Sequence, residues 1–148
     1  MANPQKNKGD KYERELAEYM NDRLFGRLPV PAIYRTPMSG SFSVHDGVGS
    51  ADLTGTPGLW VEAKRTERFD VRGAIEQAER GSVKNGGVDR PVVINRKNRQ
   101  TLEDSLCVMR LKDFIEIYEG YLLNLGYKLS SKDGVKNKEG GDSQALLF

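Results

Sequence analysis

Two carboxylates and a lysine stand out in this chain as residues that could do chemistry together: Asp52, Glu62 and Lys64, in the stretch Asp52-Leu53-Thr54-Gly55-Thr56-Pro57-Gly58-Leu59-Trp60-Val61-Glu62-Ala63-Lys64. Gly55, Pro57 and Gly58 carry turn chemistry, and Leu59 to Lys64 has the β-branched and aromatic content of a short strand. Side chains alternate along a strand, so Trp60, Glu62 and Lys64 share one face and Leu59, Val61 and Ala63 the other. Folding back through the turn brings Asp52 beside Glu62 and Lys64. Two converging carboxylates in a partly buried place stay anionic only when something positive lies between them. Oxygen ligands without His or Cys suit Mg2+ or Mn2+ rather than zinc. A surface hairpin with solvated Glu62 and Lys64 satisfies the same spacing.

These residues need a scaffold, and 148 residues suffice for one domain with a real core. A hydrophobic share of 37% beside 30% charged residues is that of a soluble protein. With no long apolar run and no signal-peptide pattern at the start, the expected location is the cytoplasm, for a host-, phage- or mobile-element-encoded protein. The single Cys107 forbids an internal disulfide, and its apolar neighbours suggest a buried structural thiol. Net charge is only +2, but it is clustered: Lys6, Lys8 and Lys11; then Lys64, Arg65, Arg68 and Arg72; then Arg96, Lys97 and Arg99. The second cluster adjoins the acidic pair, where phosphates would have to be held.

Residues 1–9 read as a flexible basic arm. Asp10 is the expected N-cap of a first helix, with Glu13 its capping-box partner or an additional acid over the metal. A strand over Ala32 to Thr36 comes next, then a polar loop from Pro37 to Ser50. That loop holds Ser39 and Ser41, possible phosphate donors, and His45, expected to be a bystander. Beyond the central hairpin the pattern predicts a helix over Asp70 to Ser82, with Gln77 facing either the site or, as mid-helix glutamines mostly do, solvent, and a covered strand over Pro91 to Asn95. A further strand over Ser105 to Leu111 and an amphipathic closing helix over Lys112 to Leu125 complete the pattern. The expected architecture is α/β, in the order α-β-β-β-α-β-β-α, with a mixed sheet flanked by helices. Residues 127–148 read as a polar tail, with apolar Leu146, Leu147 and Phe148 at its tip.

Taken together, Lys8-Gly9, Tyr12-Glu13-Arg14-Glu15-Leu16, the Arg35 strand with Ser39-Gly40-Ser41, Ser50-Ala51-Asp52 and Val61-Glu62-Ala63-Lys64 resemble the PD-(D/E)XK nuclease superfamily. Within it they are most similar to the archaeal-type and phage-type Holliday junction resolvases. The resemblance implies a restriction-endonuclease-like core with a five-stranded mixed sheet over residues 10–126. It makes Asp52 and Glu62 metal ligands, with the Ala63 carbonyl and Glu13 as further ones and Glu15 in reserve, and Lys64 the catalytic lysine. Ala51 stands where the superfamily pattern has Pro, and the gap from Asp52 to Glu62 is short for the family. The implied activity is Mg2+-dependent phosphodiester hydrolysis in DNA, most simply at four-way junctions, by a homodimer. A lysine amine keeps its proton at neutral pH, so Lys64 is expected to act as a cation that orients the nucleophile and stabilises the phosphorane. Lys8, Arg35, Ser39, Ser41, Arg65, Arg68 and Arg72 are the expected DNA contacts. Gln144, Leu147 and Phe148 resemble the anchors of a sliding-clamp-binding peptide. Three alternatives remain open: a repair or restriction-type endonuclease on the same fold, a non-catalytic DNA-binding module recruited to the clamp, and an unrelated α/β domain with surface acids.

Overall fold

A proline decides where the first helix begins. In the computed structural model, which describes residues 3–37 and 50–130, helix α1 spans Pro4–Phe25. The Asn3 side chain caps it by accepting the Gln5 N–H, and Pro4 occupies the first turn, where its missing N–H is no loss. Residues 4–9, expected as a flexible arm, are therefore helical, and Asp10 lies inside the helix instead of capping it. The capping box with Glu13 does not form. The inward stripe of α1 is Tyr12, Glu13, Leu16, Ala17 and Asn21.

Asn21 sets the path of the chain after α1. Its amide oxygen accepts the Ile33 N–H (2.8 Å) and its amide nitrogen donates to the Ile33 carbonyl, so the chain enters strand β1 (Tyr34–Arg35) in one register. β1 is shorter than the expected five-residue strand. It pairs antiparallel with β2 (Leu53–Thr54), Tyr34 opposite Thr54 and Arg35 opposite Leu53. A turn then leads into β3 (Leu59–Arg65). Gly55 in this turn has φ of +90°, and a Cβ there would run into the Ala32 carbonyl, so glycine is required on both counts. Helix α2 (Val71–Lys84), capped by Asp70, crosses over to β4 (Arg90–Arg96), which lies parallel to β3 with Glu62 opposite Val93 and Lys64 opposite Asn95. A single 3-10 turn (Leu102–Asp104) precedes β5 (Leu106–Val108), antiparallel to β4.

The order of helices and strands is the expected one, but the strands form two sheets, β1-β2 and β3-β4-β5, where a single five-stranded sheet was expected. β2 ends after two residues, before a ladder with β3 can develop. The sheets meet at Asp52, whose amide donates to the Val61 carbonyl (2.9 Å) and whose carbonyl accepts the Thr36 amide (2.9 Å).

Alternation along β3 and β4 sorts the core into two layers. Val61, Val92 and Ile94 pack with Tyr12, Leu16 and Ala17 of α1 and with Ile33 and Leu53. Trp60 and Val93 pack with Ala74, Ile75 and Ala78 of α2. As the sequence suggested, β4 is covered on both sides; its run Val92 to Asn95 is buried throughout. Cys107, on the edge strand β5, is exposed instead of buried.

The chain divides into two compact units, Met1–Met109 and Arg110–Phe148, where one domain over 10–126 was expected. Helix α3 (Leu111–Asn124) belongs to the second. Along the expected apolar stripe, Phe114, Tyr118 and Tyr121 stack on one another, with centroids 5.9 and 6.1 Å apart. Among the described residues, no helix is long and apolar enough to cross a membrane.

Candidate active site

Backbone economy brings Asp52 and Glu62 together. Asp52 directly precedes β2, and its side chain folds over β3, where Oδ2 accepts the Ala63 amide at 2.8 Å. Glu62 sits on β3 with its side chain 8% exposed. Each carboxyl is the other's hydrogen-bonding partner. Two buried carboxyls so placed cannot both be anions without a cation. Burial first, and the Glu62 charge second, push the Asp52 carboxyl up to about 7, against the lowering pull of the Ala63 amide and Lys64. Glu62 is raised too, by burial foremost, while Lys64, the Trp60 indole and the bond to Asp52 pull it down and the charge of Glu13 adds to the rise.

The other groups converge from three elements. Lys64 Nζ lies 3.8 Å from Glu62 Oε2 and donates to Gln77 Oε1 on α2 at 3.0 Å. Trp60 Nε1 donates to Glu62 Oε1 at 3.2 Å. On β4, Asn95, which is 2% exposed, donates through Nδ2 to the Lys64 carbonyl at 3.0 Å and to the Thr66 carbonyl at 3.4 Å, fixing the backbone that carries Lys64.

Several expectations need correction. Glu13 is buried and near enough to Glu62 to affect its proton, but its Oε2 accepts Arg35 Nε at 2.7 Å. Arg35 Nη2 reaches Asp10 Oδ1, also at 2.7 Å. Arg35 thus bridges two carboxylates of α1 at a part-buried junction. Glu15, the reserve ligand, pairs with Arg96 (2.9 Å) and Lys11 (3.7 Å) instead of the site. Gln77 is exposed, as expected, and from there its Oε1 accepts Lys64 Nζ. Lys8, Arg68 and Arg72 are exposed and Arg65 half-buried, its Nε enclosed without a hydrogen-bond partner. Ser39, Ser41, His45, Gln144, Leu147 and Phe148 lie outside the described residues.

Among the described residues no group of three or more His, Cys, Asp or Glu side chains is arranged to hold a metal ion. Glu13 is engaged with Arg35 through Oε2, and the acids bonded to one another are Asp52 and Glu62. That pair nevertheless fits a hard dication. Its donors are oxygens, as Mg2+ and Mn2+ prefer, and it retains at neutral pH a proton that a bound cation would replace.

Asn95 was missed in the sequence, and so was the role of Trp60, whereas Gln77 was already a candidate to face the site. The period of two along β3 already put Trp60 on the Glu62 face; Asn95 acts across the β3-α2-β4 crossover, which no local pattern announces. Compared with known protein families, curated proteins and solved structures, the chain matches none.

Proposed function

We propose that this chain is a metal-dependent endodeoxyribonuclease of the Holliday junction resolvase kind. In this reading its core is a restriction-endonuclease-like sheet in which β1-β2 continues through Asp52 into β3-β4-β5. The observation that carries the proposal is the buried pair, Asp52 and Glu62 bonded to one another with the Lys64 ammonium 3.8 Å from Glu62. Burying two acids together is costly for a fold, and here the arrangement also sets an amine beside them.

Asp52, Glu62 and the Ala63 carbonyl would hold Mg2+ or Mn2+. When bound, such an ion polarises a scissile phosphate and acidifies an attacking water. The remaining roles fall to the chain itself. Lys64, steadied by Gln77 and by Asn95 behind it, presents a fixed positive charge to a phosphate oxygen. Glu13 and Arg35 support the junction between α1 and β1. Lys8, Arg65, Arg68 and Arg72 supply sequence-independent attraction to phosphates. Symmetric cutting of two strands requires two sites, hence a homodimer. The Gln144, Leu147 and Phe148 tip is proposed to dock on a sliding clamp.

Purified protein should cut one or more of four-way junction, duplex, flap and single-stranded DNA in Mg2+, and the preferred substrate assigns the class within the fold. Asp52→Asn and Lys64→Ala should abolish cleavage while DNA binding stays measurable. Retained cleavage in either variant would reject the site, and binding without any Mg2+-dependent product would favour a non-catalytic DNA-binding module.

A further inference from the structure

The carboxylate of Glu62 has two oxygens and each is spoken for. Oε2 faces Lys64, a rotatable amine, whereas Oε1 takes the indole N–H of Trp60 in a buried setting. An indole N–H only donates, and this ring cannot turn. It is 5% exposed and wedged among Ala74, Ile75, Ala78 and Val93. Gly81 on α2 lies against the ring, and a Cβ added there would come within 2.7 Å of the indole Cζ2. A helix interior disfavours glycine relative to alanine, so its presence at this contact has a packing reason: the ring needs the space.

We propose that Trp60 is a positioning residue of the candidate cation site, its indole holding Glu62 Oε1 so that the carboxylate stays aimed at Asp52, with Gly81 making room for the ring. This rests on the nuclease reading of the same site. The competing explanation is that a buried indole N–H merely takes the nearest acceptor. The two differ in one measurable respect: only a positioning role ties the indole to cation affinity.

Trp60 is also the single tryptophan of the chain, so its emission, excited at the red edge where tyrosine is silent, reports the surroundings of this ring alone. The test is a titration of the full-length protein with Mg2+, a diamagnetic ion that does not itself quench, monitored in parallel by calorimetry and by emission. The expected result is an emission change that tracks the calorimetric isotherm. Saturation by calorimetry with unchanged emission would overturn the proposal. Trp60→Phe, which keeps the ring and loses the donor, should raise the Mg2+ dissociation constant about tenfold, as loss of such ligand-orienting bonds generally does. Its KM for DNA should be unchanged, and its kcat should fall at low Mg2+ and recover at high Mg2+. Gly81→Ala keeps the donor but displaces the ring, and should weaken Mg2+ in the same direction. Wild-type Mg2+ affinity in both variants overturns the positioning role. Asp52→Asn separates the two readings. If it binds Mg2+ as the wild type does, the nuclease site itself fails; if it loses Mg2+ while Trp60→Phe and Gly81→Ala keep it, only the positioning role fails.

Discussion

Replacing Asp52 by Asn should make the metal-free protein more stable at alkaline pH while destroying the proposed activity. The unfolded chain ionises an aspartate near pH 3.9, and the folded chain holds the Asp52 proton up to about pH 7. Between those values the folded state binds the extra proton, so the Asp52 contribution is full below about pH 4. It declines as pH rises and has gone above the folded pKa. The gap is roughly three pKa units, which at about 1.4 kcal/mol per unit comes to about 4 kcal/mol, a large part of a typical domain's 5–15 kcal/mol. Asparagine has no proton to lose. Its amide oxygen can accept the Ala63 N–H that Asp52 Oδ2 now accepts, and its NH2 can donate to Glu62 as the protonated acid does. Urea unfolding in chelator from pH 5 to 8 should therefore show wild type and Asp52→Asn converging at the acid end. At pH 8 the variant should be ahead by about 2–4 kcal/mol. Subtracting one profile from the other cancels the titrating groups remote from Asp52 and leaves the pair, since Glu62 titrates with it. Saturating Mg2+ should restore the wild type at pH 8 and leave Asp52→Asn unmoved. A difference profile that is flat with pH, or a variant weaker than wild type at pH 8, would refute the shared-proton account.

The contacts around the pair lead to three further outcomes. Gln77→Ala removes the acceptor that steadies Lys64 and should lower kcat about tenfold with KM unchanged; an unaltered kcat in single-turnover assays would show that Lys64 needs no such restraint. Arg35→Leu removes the cation that Glu13 and Asp10 share and should cost about 3 kcal/mol in chemical denaturation, whereas a loss of DNA affinity with full stability would give Arg35 a nucleic-acid role instead. Asn95→Leu leaves the Lys64 and Thr66 carbonyls without their donor and should cost about 1–3 kcal/mol, read as a lower denaturation midpoint, with an unchanged midpoint counting against the contact.

The meeting of Asp52 and Glu62 was more legible in the sequence than the architecture around it. Asp52, Glu62 and Lys64 could be joined from the sequence because a turn at Gly55 to Gly58 and alternation along one strand are local rules, and the structure brings Asp52 and Glu62 into contact. The helix start misled because Asp10 and Glu13 have the spacing of a capping box, yet Asn3 and Pro4 offer an earlier start and Arg35 a stronger partner. Pairing of Arg35 with α1 depends on β1 crossing that helix, a tertiary fact without a trace in spacing. The apolar stripe of α3 was read correctly as a helix, since helical periodicity is a local signal. The division into two sheets turned on where β2 stops, and strand ends are set by hydrogen-bond partners elsewhere in the chain.

Asp52 is tied into three segments at once, through its amide to Val61, its carbonyl to Thr36 and its carboxyl to the Ala63 amide. The seam between the sheets and the carboxylate pair therefore open together or not at all. Deuterium uptake at the Thr36 and Ala63 amides, each divided by its intrinsic rate, should give one common protection factor, and that factor gauges how far the acidic pocket comes apart in the resting protein.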